Sequence, residues 1–202
     1  ARGMLTAKQR DVIQLGLLDR MAAIGMLEGS EEGGVNEIPA PDDMLESVHR
    51  VRGGALFALA FVAPSILEGA EVSETLTAAE SAVAQLGTAF QIVDDLTDFE
   101  FDVSRRSHNL LVSQVHHAGS DEEQVRLNGF WEGGAIGANA VGSQFRKSAR
   151  AVLDRAYTEA QASFIGLADL GFWFDPQLSD QVVEAIVGLD GIARIEDLIA
   201  SK

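Results

Sequence analysis

The chain has 202 residues, 47% hydrophobic and 23% charged, a profile that supports a globular domain with a sizeable core. Against 15 basic residues stand 31 acidic ones, and the resulting charge of −16 repels nucleic acid and anionic lipid. With no cysteine, the chain has no disulfides, thiolate metal sites or cysteine nucleophiles.

Apolar residues recur at helical spacing nearly throughout, without convincing alternation, and prolines are few. A first helix is predicted from about Thr6 to Leu27, with Thr6 as N-cap, followed by a breaker-rich loop from Gly29 to Pro41. Pro41-Asp42-Asp43 opens the next helix, because carboxylates favour the positive end of the helix dipole. That helix runs through His49 towards Gly53-Gly54, and a very apolar helix from about Ala55 to Glu68 follows. The apolar stretch from Gly54 to Leu67, at about 14 residues, is short for a bilayer and reads as a buried core helix. With no signal peptide visible either, the expectation is a cytoplasmic protein without a membrane span.

Ser73 or Thr75 caps a helix expected to run unbroken to about Asp102. Beyond Arg105-Arg106-Ser107-His108-Asn109 come a short apolar segment, Leu110 to Val115, and a loop or short helix around Gly119 to Gly134. The segment Ala138 to Ala168 reads as one long amphipathic helix with Arg146, Lys147 and Arg150 on its solvated face. Phe172-Trp173-Phe174 is expected in core or interface packing, and Asp175-Pro176 breaks the chain. A helix from Ser179 to Gly188 and a short terminal one complete a single all-α domain over residues 1–202.

Asp94, Asp95 and Asp98 lie three and four residues apart, so a helix sets all three carboxylates on or beside one face. Apolar neighbours such as Phe90, Ile92, Val93 and Phe99 make this an unusual place for clustered charge. Carboxylates this close repel one another unless cations or protons neutralise them. Hard oxygen ligands suit Mg²⁺, which completes its shell with water and phosphate oxygens. The pattern points to a metal-bridged phosphate or diphosphate ester. His116-His117 project in different directions on a helix and read as a surface pair rather than ligands.

The run Leu86-Gly87-Thr88-Ala89-Phe90-Gln91-Ile92-Val93-Asp94-Asp95-Leu96-Thr97-Asp98 resembles the second aspartate-rich motif of trans-prenyl diphosphate synthases. Upstream, Arg50-Val51-Arg52-Gly53-Gly54-Ala55-Leu56-Phe57 resembles that family's Lys-Thr-Gly-Ala-Leu-Phe segment, and Gly25-Met26-Leu27-Glu28-Gly29-Ser30 resembles its Gly-Met-x-x-Gly-Gln stretch. The resemblance covers roughly residues 15 to 115. It implies a class I isoprenoid synthase fold: an all-α helical bundle around a deep cavity. It also implies transferase chemistry in which Mg²⁺ clamps an allylic prenyl diphosphate, which ionises and is attacked by isopentenyl diphosphate. Carried over position by position, Asp94, Asp95 and Asp98 become metal ligands, Asp94, Asp95 and Gln91 catalytic residues, and Gln91 a substrate-binding residue as well. Arg52, Gly53 and Phe90 become substrate-binding residues.

The chain departs from the family at several places. The first aspartate-rich motif would precede Ala1, so the expectation is the C-terminal portion of the bundle, its N-terminal half lost or left out. Asp42-Asp43 is too near Asp94 to replace that motif and reads as a helix start. The family lysine and threonine are Arg52 and Gly53, and its lysine-bearing loop is replaced by one in which Arg105 and Arg106 either bind diphosphate or pair with Glu100 and Asp102. The expected molecule is a prenyltransferase and homodimer. The alternatives are a non-catalytic subunit that binds a catalytic partner, and a terpene synthase-like relative.

Overall fold

The structure, a computed structural model, describes residues 5–68, 70–137, 140–173 and 175–187. Phe174, Gly188 and the expected terminal helix lie outside them. Every regular element among the described residues is helical, as the all-α reading requires.

Helix α1 (Ala7–Ser30) begins where Thr6 accepts from the Gln9 backbone while the Gln9 side chain takes the Thr6 N–H. Helix α2 continues without interruption over Pro41–Leu67, with Pro41 at its start and Asp42 and Asp43 in its first turn. The expected stop at Gly53-Gly54 does not occur. Instead the bonding widens to the π pattern over Leu45–Gly54, and the two glycines press α2 against the next long helix. A Cβ on Gly53 would strike the Gly87 carbonyl and come within 2.8 Å of the Gln91 Cβ. The glycines are therefore a helix crossing.

Two expectations for α2 need correction. In its apolar half only Ala58 and Val62 are buried, and Leu56 is 53% exposed, so this is not a buried core helix. Uninterrupted, α2 is also long and apolar enough by length and composition to cross a membrane. One such helix is weak grounds for a span, and α2 holds its buried His49 and its Arg52 against carboxylates from elsewhere in the fold.

Helix α3 (Ser73–Thr97) follows a 3₁₀ turn, Ala70–Val72; its N-cap is Val72, so neither Ser73 nor Thr75 caps it. It stops at Asp98, whose φ of −99° and ψ of 9° separate it from α4 (Phe99–Arg105), where one helix to Asp102 was expected. Asn109 caps α5 (Leu110–Ala118) by accepting from the Leu111 and Val112 N–H groups. Ser120 and Glu123 form a capping box that makes α6 (Asp121–Trp131) a regular helix. Phe145 divides the expected long helix into α7 (Ala140–Gln144) and α8 (Arg146–Asp169), and α9 spans Pro176–Val187.

Helix α3 forms the centre of the bundle, with α2 and α8 against it. Small buried residues, Ala79, Ala82 and Ala89 on α3 and Ala149, Ala156 and Ala160 on α8, permit the close approach. Ile92, Leu96, Phe99, Leu111 and Val115 build the main core around Phe145, whose ring meets Phe99 edge-on at 5.2 Å. Phe172 and Trp173, expected in core or interface packing, are 44% and 84% exposed and so do not belong to the core; Gly171 (φ 85°) turns the chain after α8.

Candidate functional site

Asp94 and Asp98 are one turn apart and exposed, whereas Asp95 is only 2% exposed. The approximately 100° step between successive helical residues separates them, turning Asp95 inward. Asp95 Oδ2 accepts from His49 Nε2 at 2.7 Å and from the Leu110 N–H at 2.5 Å. His49 Nδ1 faces the Met44 carbonyl at 3.2 Å. Both ring nitrogens thus face acceptors, which only the doubly protonated imidazolium satisfies. Burial works to lower the His49 pKa, but the Asp95 charge and hydrogen bond, helped by the Met44 carbonyl, outweigh it and raise it.

This corrects the three-aspartate ligand set. Asp95 has committed Oδ2 to the fold, and only its Oδ1, 3.4 Å from Gln91 Nε2, remains toward the solvent side. Among the described residues no three ligating side chains converge tightly enough to hold a metal by themselves. Asp94 and Asp98 still suit Mg²⁺. Partial burial raises the Asp94 pKa, and the Asp98 and Asp95 charges raise it further; a hard cation would relieve that charge. Mg²⁺ takes one or two carboxylates and keeps the rest of its shell for water and phosphate.

These groups open onto a cavity of about 380 Å³. Gln91, Asp94, Asp95 and Asp98 form one wall, Glu28, Glu31 and Glu32 the other, and Arg52, Asp102 and Arg105 also line it. Arg52 Nη2 lies 2.5 Å from Glu31 Oε1. Its Nε is 2.5 Å from Glu28 Oε1, at an angle that leaves it without a hydrogen bond. Glu31 also accepts from the His108 backbone at 3.3 Å and meets His108 Nδ1 at 2.7 Å. Burial alone would raise the Glu31 pKa, but the His108 hydrogen bond and the Arg52 charge bring it below the usual value. Asp102 accepts from Asn109 Nδ2 at 2.9 Å. Burial, with the Asp95 and Asp98 charges, pushes its pKa up to about 7 against that hydrogen bond.

The structure divides the remaining expected substrate contacts. Gln91 lines the cavity and donates to Asp94 Oδ2 at 3.3 Å. Arg105 lines it too, its guanidinium 5.0 Å from the Phe101 ring centroid. Gly53 does not, being consumed by the contact with Gly87. Phe90 stacks on Phe57 at 5.1 Å and packs against the core, so it is structural here. Arg106 is the left-handed cap of α4 and lines a different cavity. His117 meets the Ile38 carbonyl at 2.8 Å, and its ring sits edge-on to His116.

Glu31, Glu32, His49, Asp102 and His108 were missed. Glu31 and Glu32 stand in a breaker-rich stretch that reads as a loop. Nothing local in the sequence links His49 to a carboxylate 46 positions away.

Residues 30–109 match the family model described as polyprenyl synthetase. No curated protein and no solved structure matches the chain.

Proposed function

We infer that this chain, whose residues 30–109 match the family model described as polyprenyl synthetase, is a prenyltransferase acting on an allylic prenyl diphosphate and isopentenyl diphosphate. The observation that supports this reading is the convergence of Asp94, Asp98, Gln91, Arg52 and Arg105 on one cavity. Asp94 and Asp98 would hold Mg²⁺, which when bound neutralises the charge growing on the departing diphosphate. Gln91 orients the Asp94 carboxylate, and Arg105 supplies a guanidinium for diphosphate oxygens. His49 holds Asp95, and with it the helix turn that presents Asp94, in one position.

The test is calorimetric titration of inorganic pyrophosphate with Mg²⁺. D94A/D98A is expected to abolish the Mg²⁺-dependent heat while melting like the parent. If the double variant titrates like the parent, the assignment fails.

A second reading, a non-catalytic subunit of the same fold, is supported by the Arg52 ion pairs. Glu28 and Glu31 already occupy the guanidinium that diphosphate would need. Under the enzyme reading R52A weakens isopentenyl diphosphate binding by about 1.5–3 kcal/mol. Under the other it lowers the melting temperature and leaves affinity unmoved. A homodimer would cover the outward apolar side chains Leu15, Leu18 and Met26 of α1 with Leu56 of α2. Light scattering at micromolar concentration tests it, and a monomeric mass rejects it.

A further inference from the structure

Beside α4 lies a second concavity, of about 130 Å³, which shares only Ser107 with the lining of the acid-lined cavity. Its walls are apolar, Val35, Ile38, Val103, Val112 and Trp131, and its polar edge is Asn36, Arg106 and Ser107. A cavity near this size lined by hydrocarbon accommodates about one six-membered carbon ring.

Arg106 has a conformation that requires explanation. It is the αL cap of α4, with φ 57° and ψ 40°, the one non-glycine residue at positive φ among those described. Glycine or asparagine is the usual occupant of such a position, because a side chain there is strained. The surrounding bonds hold the conformation: the Ser107 N–H donates to the Asp102 carbonyl at 3.0 Å, and the Val35 N–H donates to the Arg106 carbonyl at 2.8 Å. A strained residue kept where glycine would serve invites a functional explanation. Arg106 is exposed and, among the described residues, makes no ion pair, in a chain carrying 31 acidic residues.

We propose that this concavity is a binding site for a small monocarboxylate with a compact apolar tail, its carboxylate on Arg106 and its tail against Trp131 and the valines. One guanidinium pairs with one carboxylate in forked geometry. A doubly charged headgroup would find no second cation among the lining residues, and the chain's net charge of −16 disfavours the extra negative charge. A volume of about 130 Å³ holds only a compact tail within the concavity.

The probe is benzoate, and the signal is Trp131 fluorescence in a W173F background. Trp173 is 84% exposed and removable, leaving Trp131 as the single tryptophan. Benzoate is expected to change the fluorescence saturably, whereas benzyl alcohol, without charge, and acetate, without a tail, should each bind about tenfold or more weakly. R106G removes the cation and relieves the backbone. It is expected to melt no lower than the parent and to weaken benzoate binding about tenfold or more. Should R106G fail to fold, V35F decides the matter, because it fills the concavity and leaves Arg106 in place: lost binding supports the site. The proposal is overturned if benzoate gives no saturable signal, if benzyl alcohol binds equally well, or if R106G or V35F binds benzoate like the parent.

Discussion

Helices α1 and α8 are both 24 residues long, and their packing could hardly differ more. No residue of α1 is buried, although Leu15, Leu18, Met21 and Met26 are exposed on it. Helix α8 buries eight residues along one stripe, among them Ala149, Val152, Ala156 and Ala160, with Arg146, Lys147 and Arg150 facing out. Apolar content therefore does not decide burial; the arrangement of small and large residues does. The stripe of α8 is narrow and small enough to seat against α3 along its length. Helix α1 is apolar on more than one face, and among the described residues none of its side chains becomes buried. It is held by particular contacts: Arg20 pairs with Glu80 on α3, and Glu28 and Glu31 grip Arg52 on α2.

If that contrast is right, the severest substitution belongs to the bundle centre. H49A should cost about 3–5 kcal/mol in urea unfolding, because it leaves the Asp95 carboxylate buried without its partner. A loss below about 1 kcal/mol would mean that Asp95 finds water or a proton cheaply.

Next comes the seam between α3 and α8. A160L should cost about 1–3 kcal/mol, since Ala160 is fully buried and a larger side chain must push the helices apart. The same volume added at exposed Ala22 of α1 should change stability by less than about 0.5 kcal/mol. Equal effects at the two positions would erase the distinction.

The pH dependence sharpens it further, because the titrating groups sit on both sides of the cavity. Asp102 keeps its proton to about pH 7 when folded and releases it near 3.8 unfolded, so between those values the unfolded chain holds fewer protons and stability falls as pH rises. His49 acts in the same direction: its contribution is complete below about pH 6.5 and is lost as pH rises through its raised pKa. Glu31, tied to α2 and His108, opposes them, contributing above about pH 4.5 and losing that contribution as pH falls through its lowered pKa. Scanning calorimetry should show the melting temperature rising from about pH 8 to about pH 4.5, then falling in stronger acid. D102N should flatten the upper limb.

The smallest effect is expected at the start of α1. T6A removes a capping box and costs that helix about 1 kcal/mol, seen as faster amide exchange in its first turns. Exchange in α8 should not move, since its protection comes from packing.

Local chemistry determined much of this protein. Helical periodicity announced an all-α chain, Thr6 and Pro41 marked true helix starts, and the spacing of Asp94 and Asp98 placed two carboxylates one turn apart. These properties depend on residues within a turn or two of each other, so a one-dimensional reading reaches them.

What tertiary structure decided involved residues far apart in the chain. Gly53 looked like a helix end or a substrate contact, and became a crossing point because Gly87 lies opposite it. Asp95 looked like its neighbour Asp94, and became a structural anion because His49, 46 residues earlier, and the Leu110 N–H converge on it. Arg105 and Arg106 are adjacent in sequence, yet Arg105 lines the acid-walled cavity and Arg106, the left-handed residue that ends α4, lines another concavity. A carboxylate or a guanidinium has no role of its own until burial and a partner assign one, and both come from the packing of distant helices.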